Sequence, residues 1–559
     1  MTHSDELNQQ IMCRQLNVSR PMHRCLCILD ILYMIFYLVF NSRTVDLVNP
    51  GVKIKVNFYS FPRLLPNPKH VDRPSLLHLA LTCRAFRDPA LHVLYSHLRD
   101  IRPVITSLPQ ELTLRPWVGG TSQQFSLVCH PARVKILHGF LKYDHPAYSF
   151  LLANAPKNAP LFPHLRSLAW YICDLTSIPA LSLLLPTVEN LSLTILTPFR
   201  EAVIPGLRAA APRLKALELR GDLFTIDKPS EIDPLLRSYS PEGLTQLSLT
   251  SCDIPSSLLY VIASWPKLQS LTLQLGHKSI PTIFYSDTQL FESLMILQIL
   301  CKNLGLVTSF LRAFRMLRAF PGDETPSLAF SNLQKIHITT EGCSTGSIWS
   351  ELLSIVTCTA LEHIILAERC NLICLAHSAI AFYPLLKHHA ALTRLKTLVL
   401  SPGPTLLIAL TDADILALSH TCPHLNFLDL GVRNTPVSLY ALDALVRRCR
   451  ELLQVSLCLD ARLNALTVTP PKNDDKVALQ PNTRLVKLEV GESPIGYMDP
   501  SNTRMAPDLI MSIPRFLHEM APFLRGITER PPGAWCQEGS SHPWLEVSYT
   551  LEAFVSGDI

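Results

Sequence analysis

The sequence lacks the features on which several large classes of protein depend. No run of Lys or Arg occurs in its 559 residues, and a formal net charge of +5 is dilute for a chain of this length. Proteins that bind nucleic acid usually concentrate basic residues on one face, so this charge pattern argues against such a partner. Neither a P-loop nor a G-x-G-x-x-G motif is present, and no C-x-x-C pair offers a zinc site. We therefore expect no nucleic acid, no cofactor and no metal.

A segment long and apolar enough to cross a membrane is also missing. The longest apolar run, residues 25–40, is interrupted by Asp30 and falls short of the roughly 20 residues that a span needs. No cleavage site of the A-x-A kind follows it, which argues against a signal peptide. We expect this run to form a buried amphipathic helix, and we expect no membrane partner.

The cysteines do not cluster as they do in disulfide-rich domains. All 16 are scattered, and several recur at equivalent positions relative to the leucine phrases described below, such as Cys422 and Cys449. Equivalent positions in stacked repeats share one packing environment, so we expect small buried thiols rather than bridges. Such thiols fit a reducing compartment, which predicts a cytoplasmic or nuclear protein.

A Leu-x-x-Leu-x-Leu-like phrase, in contrast, recurs thirteen times. Residues 212–219 read PRLKALEL and residues 422–430 read CPHLNFLDL. The last two leucines of each phrase lie two residues apart, the period at which a strand points both into a core. Helical patterns follow, as in residues 438–449. The first apolar residues of the thirteen phrases are Leu165, Val188, Leu214, Leu244, Leu268, Leu294, Leu333, Leu361, Leu395, Leu425, Leu452, Leu485 and Leu524.

A repeating unit of this kind cannot bury its apolar face alone, so neighbouring units must stack. Successive phrases lie 23 to 39 residues apart, whereas leucine-rich repeats usually take about 20 to 29. Several units must therefore carry longer loops or helices. The predicted fold class is α/β: a leucine-rich-repeat solenoid shaped like a horseshoe, with parallel strands on its concave face and helices on its convex face.

Two segments near the amino terminus carry helical patterns. They are residues 22–40, MHRCLCILDILYMIFYLVF, and residues 75–98, SLLHLALTCRAFRDPALHVLYSHL. Pro89 suits the first turn of a further short helix. Together these segments resemble an F-box, and the whole layout is similar to fungal F-box proteins with degenerate leucine-rich repeats. The positions that match the hydrophobic frame of an F-box are Leu26, Ile28, Ile31, Leu32, Ile35, Phe36, Leu76, Leu79, Cys83 and Phe86.

This resemblance implies a function as well as a small helical domain. It implies that the ten matching residues bind a Skp-type adaptor, which links F-box proteins to a cullin–RING ubiquitin ligase, and that the repeats bind a target protein. An insert at residues 41–73 separates two halves that the family joins by a short turn. The chain could therefore instead be an interaction scaffold whose F-box does not function. The same ten residues could also merely pack the amino-terminal helices onto the repeats.

The chain divides into segments on these patterns. We expect a loose amino terminus, an F-box-like domain with its insert, a connecting segment, the solenoid and a carboxyl-terminal cap. Their bounds are residues 1–21, 22–99, 100–160, 161–530 and 531–559.

The residues between the repeat leucines are the predicted target-binding positions on the concave face. They mix polar and charged types with no dominant sign, so they identify no ligand class, and the target remains an unknown protein. These positions are Lys215, Glu218, Gln246, Ser248, Gln269, Thr272, Asn426 and Asp429.

A possible catalytic motif lies at residues 342–346, GCSTG, which fits the G-x-S-x-G nucleophile pattern. A hydrolase that uses Ser344 with Asp412 and His420 is thus an alternative. Strand, turn and helix also follow one another in a leucine-rich repeat, where Gly and Ser are ordinary turn residues. We therefore interpret the motif as a turn and expect no enzymatic activity.

Overall fold

The structure is a computed structural model that forms two compact units. The first comprises Met1–Thr225 and Ser230–Tyr239, and the second comprises Ile226–Pro229 and Ser240–Ile559. The residues that the structure describes are 32, 34–36, 73–98, 133–139, 162–172, 181, 184–195, 207–220, 236–237, 243–250, 254–276, 290–316, 330, 332–356, 361–370, 378–386, 392–403, 406–431, 433–462, 480–491, 493, 495, 507–528 and 543–556.

The first unit begins with a small helical module. Helix α1 spans Arg73–Thr82 and helix α2 spans Arg84–Ser96, and the two pack against each other. The extended backbone of Cys83 separates them. Helical residues at 32 and 34–36 complete the module. Its buried side chains form one apolar cluster of Leu32, Phe36, Leu76, Ala80, Ala90 and Val93.

One boundary in this module differs from the expectation. Pro89 does not begin a short helix; it lies inside α2. The amide groups of Phe86 and Arg87 already donate to the Cys83 carbonyl oxygen at 3.2 Å, so the helix starts before the proline. Phe86 then packs edge to face on Phe36, with ring centroids 5.5 Å apart.

Five parallel strands follow in the first unit, each paired with the next in chain order. Strands β1 and β2 precede residue 161, so the strand ladder starts earlier than the leucine phrases indicated. A short helix, α3, spans Leu207–Ala210. The strands are β1 His97–Leu98, β2 Ile136–Gly139, β3 Ser167–Ile172, β4 Asn190–Ile195 and β5 Ala216–Arg220.

The second unit contains a parallel strand ladder of the same kind. Its successive strands are β6 Gln246–Leu249, β7 Ser270–Leu275, β8 Ile296–Cys301, β9 Lys335–Thr340, β10 His363–Glu368, β12 Thr397–Ser401, β14 Phe427–Asp429, β16 Gln454–Ser456, β18 Lys487–Glu489 and β19 Gly526–Thr528. Two smaller parallel pairs join β11 Ser378–Ala381 to β13 Leu406–Ala409, and β15 Val437–Ser438 to β17 Leu459–Asp460.

Helices of the second unit lie between the strands in the chain. From α5 to α10, each helix contacts the next, so they form a layer that follows the strand order. These helices are α4 Ser256–Ala263, α5 Leu304–Met316, α6 Gly346–Ile355, α7 Tyr383–Leu386, α8 Asp412–Thr421, α9 Leu439–Arg448, α10 Pro507–Met520 and α11 Pro543–Ser556.

The repeat leucines make the core. All thirteen first positions of the phrases are at most 5% exposed, and the strand leucines that follow them are buried in register with one another. Burial of one leucine side chain contributes roughly 2 kcal/mol, so a row of them is the main source of cohesion. This confirms the predicted α/β repeat architecture within each unit.

The last strand is covered. Helix α11 contacts both α10 and β19, and the indole Nε1 of Trp544 donates to the Ser493 carbonyl oxygen at 3.0 Å. Terminal repeats need such a cover because one apolar face has no further repeat to pack against. Within the described residues, no helix is both long and apolar enough to span a membrane.

Polar side chains also join consecutive repeats of the second unit, in addition to the buried leucines. Thr411 and Asp414 form a reciprocal capping box at the start of α8. The first residue of that helix, Asp412, accepts hydrogen bonds from the Ser438 amide at 2.9 Å and its hydroxyl at 2.6 Å. Ser438 in turn caps α9, so one carboxylate connects the starts of two neighbouring helices.

Asn482 has a similar role at the other end of α9. Its buried side-chain amide donates to the carbonyl oxygens of Val446 and Cys449, both at 3.0 Å. Its oxygen accepts from the amides of Arg484 at 2.7 Å and Leu485 at 3.0 Å. One side chain therefore satisfies four backbone groups that have little access to water.

Replacement of Asn482 by Ala should lower the free energy of unfolding by about 2 to 4 kcal/mol, because these backbone groups would stay buried without partners. Urea denaturation of the variant measures the loss. Asn332→Ala is the matched control, since that exposed side chain makes one hydrogen bond, to the Glu292 carbonyl oxygen at 2.8 Å. Equal, small effects of both substitutions would contradict the assignment.

Candidate protein-interaction surfaces

The side chains that alternate with the core leucines form what we call the polar face of the second unit's strand ladder. In register with Gln246 they are Ser270, Ile296, Lys335, His363, Thr397, Phe427, Gln454, Lys487 and Gly526. In register with Ser248 they are Thr272, Gln298, His337, Ile365, Val399, Asp429, Ser456, Glu489 and Thr528. These two rows run side by side across ten strands.

The predicted target-binding residues divide between two places. Gln246, Ser248, Thr272 and Asp429 lie in the two rows of the polar face, and Glu218 holds the equivalent alternating position in β5 of the first unit. Gln246 is exposed, whereas the other four are mostly buried.

The other three predicted target-binding residues lie outside the strands. Lys215, Gln269 and Asn426 each occupy the residue just before β5, β7 and β14, respectively. Strand alternation places side chains two residues apart on one face, and these three are out of step with that face. Their backbone amides extend the ladder instead, as when Gln269 donates to the Thr245 carbonyl oxygen at 2.8 Å.

The carboxylates at predicted target-binding positions are already engaged. Glu218 pairs with Arg220 on the same strand. Asp429 accepts a hydrogen bond from the Gly431 amide at 2.8 Å, and Gly431 has a φ of 74°, which favours glycine. Glu218 is engaged by a side chain and Asp429 by a backbone amide, so both carboxylates are less available to a partner.

The middle of the polar face is basic. Lys335 is half-buried, and no carboxylate among the described residues lies within ion-pair distance of its ammonium group. Burial, with the nearby charges of Lys335 and Arg369, lowers the pKa of His337 to about 4. Burial and Lys335 also lower the pKa of His363, whose Nδ1 lies 3.0 Å from the Thr397 hydroxyl. The Lys335 ammonium group therefore lies beside the imidazoles of His337 and His363, and both imidazoles have a lowered pKa.

Ion pairs line the edge where the strands begin. Glu362 accepts from Lys396 at 2.7 Å and from Arg394 at 3.0 Å, and the hydrogen bond from Lys396 lowers the pKa of its carboxyl group. Exposed pairs of this kind contribute little to stability. They do fix long side chains at the rim of the polar face.

The predicted adaptor-binding residues are mostly internal to the helical module. Leu32, Phe36 and Leu76 are buried, and Leu79, Cys83 and Phe86 are half-buried. Ile35 is exposed. Leu26, Ile28 and Ile31 lie outside the described residues.

The predicted adaptor-binding set leaves out three exposed apolar residues of the module. Met34, Leu77 and Leu81 are 60%, 48% and 76% exposed. Leu77 and Leu81 are four residues apart, so they share one face of α1, whereas Leu76 and Ala80 face the buried cluster. Helical spacing alone could have separated these two faces.

The G-x-S-x-G motif forms a turn between β9 and α6. The Ser344 hydroxyl accepts a hydrogen bond from the Leu304 amide at 3.1 Å, and the Ser344 amide donates to Glu368 Oε1 at 3.0 Å. Glu368 Oε2 accepts from the Gly403 amide at 2.7 Å. Burial raises the pKa of the Glu368 carboxyl group, and these hydrogen bonds oppose the shift. Asp412, one of the two residues considered as catalytic partners of Ser344, binds Ser438, so the contacts favour a turn.

Both glycines of the motif are required by close backbone contact. A Cβ on Gly342 would lie 2.4 Å from the Lys302 carbonyl oxygen, and one on Gly346 would lie 2.2 Å from the Ala379 carbonyl oxygen. Backbone segments of the neighbouring repeats thus approach the turn from both sides. The motif residues are there because of packing between repeats.

The expectation that the cysteines form no bridges is wrong at one pair. Cys343 and Cys370 form a disulfide with a Cα–Cα distance of 5.6 Å. They follow β9 and β10, whose ends Thr340 and Glu368 are in register, so the sheet brings the two turns together. The leucine phrases carried no signal for this pairing because the two cysteines lie outside them.

Other cysteines behave as predicted. Cys422 and Cys449 are buried, and burial raises the pKa of each thiol to about 12. They are therefore inert packing groups. No group of three or more metal-binding side chains occurs among the residues for which the structure gives positions.

Comparisons with known proteins give distant structural matches only. No protein-family profile matches the sequence, and no curated protein matches it significantly. An internalin from Listeria monocytogenes aligns at 15% identity over 61% of this chain and 78% of its own, with a TM-score of 0.30. The complex of Rad7 and Elc1 from yeast aligns at 16% identity over 61% and 79%, with a TM-score of 0.28. Superpositions this loose do not establish a shared fold or function.

Substitution of either motif glycine by Ala should lower the free energy of unfolding by about 1 to 3 kcal/mol, because a backbone segment of the next unit must shift. Gly526→Ala is the control, since nothing lies within 4 Å of its added Cβ. Urea midpoints of Gly342→Ala, Gly346→Ala and Gly526→Ala give the comparison. If all three variants match the unsubstituted protein, the close-contact explanation fails.

The buried imidazole of His337 should make stability depend on pH. Its pKa is about 4 in the folded chain against about 6.5 when unfolded, so the unfolded state binds more protons between these values. The free energy of unfolding should therefore fall, by up to about 3 kcal/mol, as the pH drops from 7 to 4. The comparison with His337→Gln isolates this contribution.

The expected signature is a smaller decrease in the His337→Gln variant over the same interval. His420→Gln, at an exposed position, is the control substitution. If the free energy of unfolding depends on pH in the same way in the unsubstituted protein and in the His337→Gln variant, folding does not lower the pKa of His337 and the explanation fails.

Proposed function

We propose that this chain is a substrate receptor of a cullin–RING ubiquitin ligase, with the helical module bound to a Skp-type adaptor and the repeats bound to a target protein. The observation that carries this proposal is a helical module that keeps apolar residues on its surface. The resemblance of residues 22–99 to an F-box supports the choice of adaptor.

The module separates its apolar residues into two sets. Leu32, Phe36 and Leu76 hold the helices together, and Met34, Ile35, Leu77 and Leu81 remain exposed. Single exposed apolar residues are ordinary, but four in so small a module leave a sizeable apolar area uncovered. A partner helix or groove that covers such residues is a common mode of recognition. The adaptor would contact the second set.

The polar face of the second unit is the surface proposed for the target. Its rows present side chains of several strands side by side, and Lys335 lies at their middle without a carboxylate partner among the described residues. A half-buried ammonium group gains most from an anionic partner, because burial weakens screening by water and salt. A carboxylate of the target would therefore bind most strongly there.

Such a receptor acts by position rather than by chemistry. A target held on the same chain as the adaptor experiences a high effective concentration of the ligase. Lysines of the target then meet the transferred ubiquitin more often. Neither surface needs a nucleophile or a cofactor for this.

The second candidate is an interaction scaffold with a non-functional F-box. The burial of Leu32, Phe36 and Leu76 favours it, because these residues serve the module's own core. The insert at residues 41–73 favours it too, since it interrupts the F-box pattern. This candidate retains target binding and predicts no adaptor complex.

Charge substitutions at exposed residues test the adaptor surface. Ile35→Asp and Leu81→Asp should each weaken binding of a purified Skp-type adaptor about tenfold or more, as expected at central apolar contacts. Leu453→Asp is the matched control, an exposed leucine of the second unit at 45% exposure. Isothermal titration with the full chain gives the affinities, and circular dichroism checks that each variant is folded.

A chain that does not bind the adaptor requires one further variant. If the unsubstituted chain is folded and does not bind the adaptor, removal of residues 41–73 decides between the candidates. Binding that appears after the removal would show that the helices are competent and that the insert blocks them. Absence of binding in both chains would overturn the receptor proposal and leave the scaffold.

A further inference from the structure

Three consecutive turns of the second unit meet at the carboxyl ends of their strands. Cys343 lies in the turn after β9, Cys370 follows β10, and Gly403 follows β12. We call Cys343, Ser344, Glu368, Cys370 and Gly403 the turn cluster. Nothing in the proposed function requires this cluster, and the leucine phrases do not include it.

Two different links cross the turn cluster. The disulfide joins the first turn to the second. The Glu368 carboxylate joins all three, because it accepts from the Ser344 amide at 3.0 Å and from the Gly403 amide at 2.7 Å. A covalent and a hydrogen-bonded link therefore hold the same turns.

The two links share one small space. A Cβ on Gly403 would lie 2.9 Å from Glu368 Oε2, 3.6 Å from Cys343 Sγ and 3.9 Å from the Cβ of Cys370. The disulfide and the carboxylate thus both lie close to the space in which a side chain at residue 403 would begin. A change in one alters the surroundings of the other.

The two sulfur atoms differ in access from solvent. Cys343 is half-buried, whereas Cys370 is only 9% exposed. An external thiolate can approach Cys343 Sγ more easily, and Cys370 is then the leaving group. The other described cysteines of this unit, Cys301, Cys422, Cys449 and Cys458, are buried thiols.

We propose that the Cys343–Cys370 disulfide is a reversible redox lock on the turn cluster, closed by a small-molecule disulfide and opened by a small-molecule thiol. In the closed form the turn at 341–345 is bound to the end of β10 by a covalent bond. In the open form hydrogen bonds alone hold it, among them those of Glu368 and Ser344 and those that the Glu341 and Gly342 amides donate to the carbonyl oxygens of Cys301 and Lys302. The lock concerns the recognition unit itself and is independent of adaptor binding.

The exchange balances in two steps. A small thiolate attacks Cys343 Sγ, a mixed disulfide forms on Cys343, and Cys370 leaves as a thiolate that takes up a proton. A second small thiolate attacks the small-molecule sulfur of the mixed disulfide, and Cys343 leaves and is protonated. Overall, two small thiols are oxidised to one disulfide, and the protein gains two electrons and two protons.

Opening the lock should loosen the turn without unfolding the repeats. The disulfide closes a loop of 27 residues that contains α6, and its loss returns conformational freedom to the unfolded chain and to the turn. The leucine rows on either side stay buried. Faster amide exchange at 341–346 and a melting temperature lower by roughly 3 °C are the expected signs.

The experiment uses the full chain in mixtures of reduced and oxidised glutathione. Mass spectrometry of non-reduced digests should show a Cys343–Cys370 cross-linked peptide at the oxidising end and its loss at the reducing end. Alkylation of the reduced, folded chain should label these two cysteines and spare Cys422 and Cys449. The thiols of Cys422 and Cys449 are buried, and the Cys449 thiol donates a hydrogen bond to the Cys422 carbonyl oxygen at 3.3 Å.

The variants Cys343→Ser and Cys370→Ser complete the test. Each should melt at the temperature of the reduced chain, whatever the glutathione ratio. A chain that forms no cross-linked peptide under oxidation, or one that glutathione cannot reduce while folded, would overturn the proposal. A melting temperature that depends on the glutathione ratio in both variants would overturn it as well, because another cysteine would then be responsible.

Discussion

The structure depends on one packing constraint, the burial of leucine rows between a parallel strand ladder and a layer of helices. Each strand offers about two apolar side chains to that layer, and so few buried side chains cannot hold an isolated repeat together. Stacking supplies the rest, because Leu271 lies in register with Leu247 on one side and Leu297 on the other. The polar residues then follow from the same alternation. Each strand must present its other face away from the core, and that face becomes the surface proposed for a target.

The sequence predicted the core well because one side-chain property decides it. A period of two in the phrase around Leu217 and Leu219 predicts both a strand and its buried side, and both residues are buried in β5. The same period placed Ser248 and Thr272 on the polar face. The same period excludes Lys215, Gln269 and Asn426, because each lies three residues before a position of that alternating face and just before its strand begins. These three predictions were wrong because they ignored the alternation.

Contacts between distant segments lay beyond sequence reasoning. The disulfide between Cys343 and Cys370 and the carboxylate bridge of Glu368 depend on which turns the sheet brings together, and the irregular loops hide that register. The helical module shows the same limit. Its hydrophobic frame was visible, but the sequence could not separate Phe36, which serves the core, from Ile35, which is exposed. The residues that match a family pattern and the residues that a partner can contact are different sets.

Cohesion passes from each repeat only to its neighbours along the strand ladder. Hydrogen–deuterium exchange of the full chain with Leu297 replaced by Ala tests this most directly. Leu297 is buried in β8, so the substitution creates a cavity there. We predict faster exchange in β7, β8 and β9 and little change in β14, β16 and β18, since solenoid units contact only adjacent units. Uniformly faster exchange in all these strands, or faster exchange that ignores the strand order, would contradict the account.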